Sequence, residues 1–172
     1  QFARKRAQDL APTLDWSDPE LPARPSLEEV RQWLKQHPRN YQSLVVYAQL
    51  LIRDKQWQTA IPTLTLLLEA FPEDIRGGCA YELLTLVYRQ LGNLKQEQAV
   101  LEQWVQRDSD VLDAQLRLLE IYANKKSWSL LGKMAEQTLA VNPLLTVPHQ
   151  QLAMAADTLK QPQRAIPALQ AL

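Results

Sequence analysis

The chain writes Ala-Ile-Pro-x-Leu twice, at 60–64 and again at 165–169, with the two alanines 105 positions apart. The spacing of other landmarks explains that distance. Pro38 and Pro72 are 34 residues apart, as are Ser109 and Pro143, while Pro72 and Ser109 are 37 apart, one period and three further residues. Three periods and that insertion bring the first copy onto the second. The two copies therefore occupy one place in different repeats. A period of this length belongs to chains built from one supersecondary unit stacked on copies of itself.

The repeated unit is helical. Glycine is scarce (4 residues) and proline is not (11), and the long apolar stretches are rich in Leu, Ala, Gln and Glu with few β-branched runs. Each period holds two apolar, helix-spaced clusters. The first reads Leu44, Tyr47, Ala48, Leu51, then Ala60, Leu64 and Pro72. The second reads Tyr81, Leu84, Thr85, Tyr88, then Glu97, Leu101 and Ser109. The third reads Gln115, Leu118, Leu119, Tyr122, then Leu131, Ala135 and Pro143, and the fourth His149, Leu152, Ala153, Ala156, then Ala165 and Leu169. The small residues let helices approach, and the Leu and Tyr positions fill the space between them.

This pattern resembles the tetratricopeptide repeat (TPR) family over about 41–172, with 26–38 similar to the second helix of a leading half repeat. The resemblance implies an all-α, right-handed superhelical solenoid of antiparallel helix pairs, about four repeats plus a leading single helix. The repeats fall at 41–72, 78–109, 112–143 and a truncated 146–172. The sequence departs from the family pattern in three places. Leu119 is large where a small residue is expected, and Glu97 and Leu131 replace alanine in the second helix. The reading expects looser packing there.

Residues 1–25 form the other region: a short helix over 1–10, then an extended linker over 11–25 carrying Pro12, Pro19, Pro22 and Pro25. Ser26-Leu27-Glu28-Glu29 opens the helical domain as a capping box, and Pro38 ends that helix by His37. Pro62 and Pro167 are expected near the first turn of a second helix, where a missing N–H costs nothing. Trp57 and Trp128 are 71 residues apart and read as equivalent packing residues at the turn within a repeat. Asp74-Ile75-Arg76-Gly77-Gly78 carries the insertion and reads as a longer turn rather than a flexible joint. The chain starts at Gln1 and stops within a helix, so an excised fragment is expected, with Arg4-Lys5-Arg6 a solvated helix end.

Catalytic chemistry has little to stand on. Lys+Arg and Asp+Glu both number 19, so the basic balance of a nucleic-acid binder is missing. Only His37 and His149 are available, about three repeats apart. The single Cys79 reads as a small apolar residue on a helix. Glu28-Glu29 and Glu73-Asp74 read as carboxylates at helix starts or in loops, where they favour the helix dipole. No phosphate-binding glycine loop exists, and no run of about 18 apolar residues crosses a membrane. The expectation is no enzyme, no cofactor, no metal, no nucleic acid and no membrane span within this segment. Compartment stays open, leaning to a cytoplasmic setting over a membrane-anchored or periplasmic one.

In the family it resembles, the first helix of each pair lines a concave groove for a peptide or helix. Carried over by position, the groove residues are Gln42, Val45, Gln49, Ile52 and Arg53; then Glu82, Leu86 and Arg89; then Asp113, Leu116, Arg117 and Glu120; then Gln150 and Met154, with Asp157 beside them. The Lys and Asn with which some members clamp a C-terminal carboxylate are replaced by Val45/Gln49, Glu82/Leu86, Leu116/Glu120 and Gln150/Met154. The expected function is a scaffold or adaptor binding a partner protein or peptide. The alternatives are an accessory or spacer domain of a larger enzyme or assembly factor, and a groove filled by the chain's own 11–25. Ile166, Leu169 and Leu172 are expected as a self-association contact.

Overall fold

The computed structural model describes Asp15 and residues 17–170. The helix expected over 1–10 and the side chain of Leu172 lie outside those residues. Among the described residues there are nine α-helices: α1 Leu27–Gln36, α2 Tyr41–Arg53, α3 Trp57–Ala70, α4 Ala80–Gln90, α5 Leu94–Arg107, α6 Leu112–Asn124, α7 Trp128–Val141, α8 Thr146–Thr158 and α9 Pro162–Gln170. The chain divides within α5 into two compact units, one up to Glu97 and one from Gln98.

The repeat is written into the backbone as well as the side chains. Lys55, Gly92, Lys126 and Lys160 share a left-handed conformation, with φ of 57°, 66°, 54° and 57°. Each follows the first helix of a pair, and the residue after it closes the same bond. The amides of Gln56, Asn93, Ser127 and Gln161 donate to the carbonyls of Leu51, Tyr88, Tyr122 and Ala156 at 2.8–2.9 Å. This six-to-one bond satisfies a carbonyl that the helix end would leave orphaned. Only Gly92 meets the conformation without a Cβ penalty; three lysines carry it at a cost.

In the first unit, α1 is capped as expected: the Ser26 hydroxyl accepts from the Glu29 amide, and the Glu29 carboxylate accepts from the Ser26 amide at 2.7 Å. Helices α1, α2, α3 and α4 pack in succession, over Val30, Leu44, Ala48, Leu51, Ala60, Leu64, Leu84 and Val87. In the second unit α6, α7, α8 and α9 pack in succession, and α6 also touches α8. Its core is Leu118, Leu119, Ile121, Leu131, Ala135, Ala155 and Ala156. The three departures from the family pattern are buried all the same: Leu119, Leu131 and Glu97. In the second unit the close approach passes instead to Gly132. A Cβ there would lie 3.6 Å from the Cβ of Ala155 on α8 and 3.3 Å from Nη2 of Arg164 on α9.

Several local expectations need correction. Pro62 and Pro167 are each the sixth residue of their helix, not first-turn residues. Each leaves one carbonyl of the preceding turn without its amide donor. The first-turn prolines are Pro162 of α9 and the buried Pro148 of α8, where the missing N–H is harmless. Residues 17–25 are irregular, yet the segment is tied down at the α1–α2 turn. The Asp15 amide donates to the Arg39 carbonyl, the Tyr41 amide to the Asp15 carbonyl, and the Asn40 side-chain amide to the Ser17 carbonyl at 2.8 Å. Those contacts meet the helix ends, not the outer face of α2.

Candidate protein-interaction surface

All the residues expected to line a groove fall on the first helices α2, α4, α6 and α8, and none of them is buried. In the first unit Gln42, Gln49 and Arg53 are exposed on α2, with Val45 and Ile52 half-buried between them. On α4 Glu82, Leu86 and Arg89 are exposed, Leu86 to 40 %. In the second unit Asp113 and Glu120 are exposed on α6, with Leu116 and Arg117 half-buried. On α8 Gln150, Met154 and Asp157 are exposed, Met154 to 42 %. The helical period produces this separation: the neighbours Ala48, Leu84, Thr85, Leu118, Leu119, Leu152 and Ala153 face inward.

Arg89 has a structural duty that sequence reasoning missed. Its Nε donates to the Glu97 carboxylate at 2.9 Å; the Glu97 side chain is 2 % exposed and that of Arg89 50 %. A carboxylate at a position that calls for alanine is tolerated because an arginine one helix back reaches it. The signal was visible as the departure at Glu97 itself, since a carboxylate in a core position requires a partner. Tyr122 and Glu102 form a comparable link in the second unit, the phenol donating to the carboxylate at 2.8 Å.

The insertion is an ordered turn around Asp74, which lies in the loop between α3 and α4. It is buried and accepts from the Tyr41 hydroxyl and from Nε of Arg76, the latter at 2.8 Å. Burial and then the Asp74 carboxylate push the Tyr41 phenol up to about 12. The Asp74 carboxyl is held below its ordinary range by hydrogen bonds from Arg76 and Tyr41, although its burial acts the other way as the largest single influence. The Gly78 amide, with φ 79°, donates to the Glu82 carboxylate at 2.6 Å and closes the turn. Beside it, Tyr41, Val45, Leu67, Phe71, Asp74 and Ala80 line a shallow pocket with room for about one water molecule.

Cys79 is not on a helix: it is the buried N-cap of α4, and burial pushes its thiol up, the opposite of an activated nucleophile. His37 faces the Asp15 carboxylate at 2.8 Å and stacks on Trp33, while Nε2 of His149 donates to the Pro143 carbonyl at 2.9 Å. Trp57 and Trp128 open α3 and α7 and are half-buried. Among the described residues, no group of three or more His, Cys, Asp or Glu is placed to hold a metal ion, and no helix is long and apolar enough to cross a membrane. The largest exposed apolar side chains of α9 are Ile166 and Leu169, at 54 % and 58 %.

No family model matches the chain, and no curated protein matches it. Solved structures do. A crystal structure of MamA superposes with a TM-score of 0.61 at 15 % identity, over 84 % of this chain and 83 % of that one. YrrB, described as a TPR protein with an unusual peptide-binding site, gives 0.60 at 15 % identity over 85 % and 74 %. A chain in the structure of Naa15/Naa10 bound to HypK-THB gives 0.66 at 14 % identity, over 84 % of this chain but only 21 % of that one. At such identities the likeness speaks for the fold, and with the helix pairs and their repeated turns it shows that this chain has a TPR-like helical-repeat fold.

Proposed function

We propose that this chain is a protein-interaction module that binds a peptide or helix of a partner protein on the outer faces of its first helices, without catalysis of its own. The observation that supports this most is the persistence of apolar side chains where burial is not required. Leu86 and Met154 stay exposed on α4 and α8, and Val45, Ile52 and Leu116 are only half-buried on α2 and α6. The same helices carry exposed polar residues, Gln42 and Gln49, Glu82, Asp113 and Glu120, Gln150 and Asp157, a mixture that suits a peptide-binding face. That YrrB has a peptide-binding site and that Naa15/Naa10 binds HypK-THB agrees with such a use of the fold.

The test is affinity capture with residues 1–172 as bait and a Leu86→Ala, Leu116→Ala, Met154→Ala variant as control. Arg89 is left intact, because its loss would strand Glu97. A protein retained by the parent and lost by the folded variant supports the reading; identical captures overturn it. We also propose that a second copy packs on Ile166 and Leu169 of α9. Sedimentation should then show association that Ile166→Lys with Leu169→Lys abolishes; a monomer at every concentration contradicts it.

A further inference from the structure

The two units use the charges on their first helices differently. On α2 and α4 the charges are consumed internally. Arg53 pairs with Asp54 at 2.9 Å, Glu82 accepts the Gly78 amide, and Arg89 serves the buried Glu97. On α6 and α8 only some of them are. Besides His149, whose Nε2 donates to Pro143, these two helices carry three carboxylates and one guanidinium. Arg117 pairs with Glu120 at 2.7 Å, and among the described residues no side chain pairs with the carboxylates of Asp113 and Asp157.

Apolar side chains share these two helices with the charges. Helices α6 and α8 touch, and their outer faces carry half-buried Leu116 with Val147 and Met154, the last two 51 % and 42 % exposed. An apolar ridge that shares its helices with unpaired carboxylates disfavours an acidic occupant, whose charges would meet like charges on desolvation. It favours a basic one, which gives each carboxylate a cation. Methionine at its centre adapts to more than one apolar anchor.

We propose that the α6–α8 face docks a segment of a partner protein that presents large apolar side chains flanked by Lys or Arg. This rests on the peptide-binding reading above and names the chemistry of its ligand.

The probe is a displayed library of random dodecapeptides, selected against the full 172-residue chain and against two variants. In Leu116→Ala with Met154→Ala the apolar ridge is cut. In Asp113→Asn with Asp157→Asn the shape is kept and the charge removed. Peptides enriched by the parent should carry net positive charge and at least one large apolar residue. Their affinity should fall about tenfold in the first variant and lose its basic preference in the second. It should also weaken with added salt.

Enriched peptides that are neutral or acidic overturn the inference and leave the peptide-binding reading standing. A basic preference that survives in the Asp113→Asn, Asp157→Asn variant overturns the assignment to this face. No enrichment above background overturns both readings. A full chain with Arg4→Glu, Lys5→Glu and Arg6→Glu that binds the selected peptides markedly tighter than the parent makes the chain's own basic segment the occupant, and overturns the partner assignment.

Discussion

The lysines at 55, 126 and 160 carry a backbone conformation that costs an L-residue about 1 kcal/mol or more relative to glycine. Gly92 shows what the turn prefers. Lys126→Gly should therefore stabilise the protein by up to about 1 kcal/mol, read as a higher urea midpoint at unchanged slope; a lower midpoint would mean that the lysine side chain contributes more than its backbone costs. Arg89 and Glu97 form the second residue-scale case. Arg89→Ala leaves a carboxylate buried without its guanidinium and should cost about 1–3 kcal/mol, less than for a fully buried pair because Arg89 is half in water. Glu97→Ala restores the residue that the repeat calls for and should cost less. The double variant should be more stable than Arg89→Ala alone, and a double-mutant cycle by denaturation measures that coupling. The sequence announced Glu97 as an oddity but could not name its partner. The pairing depends on which face of α4 Arg89 occupies, eight residues back and in a different helix.

At the scale of elements the sequence was most legible. Prolines, the capping box at Ser26 and the 34-residue period point to a succession of helix pairs, because each is a local rule or a repetition of one, and the described residues form successive helices over 27–170. The misses have a common cause: they depend on packing between elements. Pro62 and Pro167 sit a full turn deeper than expected because α3 and α9 begin earlier than their prolines imply. The close approach in the second unit uses Gly132, one residue after the expected position, which Leu131 fills. The α3–α4 insertion reads from sequence as a longer turn, but its dependence on Tyr41 of α2 does not. That dependence has a pH signature. The folded state favours the neutral Tyr41 phenol, so its contribution is complete below the ordinary tyrosine value of about 10 and is lost as the pH rises through about 12. Tyr122, raised in the same direction by burial and Glu102, adds to this alkaline loss. Tyr41→Phe should thus lose stability less steeply than the parent between about pH 9 and about pH 12 in parallel urea titrations. Equal slopes would mean that neither burial nor Asp74 raises the Tyr41 phenol in solution.

At the scale of the whole molecule the sequence predicted a fold and a surface, and the two differ in how they are known. The fold follows from periodicity and from the likeness to solved helical-repeat structures. The surface follows from a negative: residues of α2, α4, α6 and α8 that the core does not need. The positions Val45, Leu86, Leu116 and Met154 were readable because helical spacing separates them from core residues. Their chemical use was not, since Arg53, Glu82 and Arg89 turn out to be engaged within the protein, while among the described residues no side chain pairs with Asp113 or Asp157. The most direct test of the account is amide hydrogen exchange on the full chain, with and without the partner that affinity capture returns. Binding on the outer faces of the first helices predicts added protection concentrated in α2, α4, α6 and α8, with α3, α7 and α9 unchanged. Protection confined to α3, α7, α9 or the turns would contradict it.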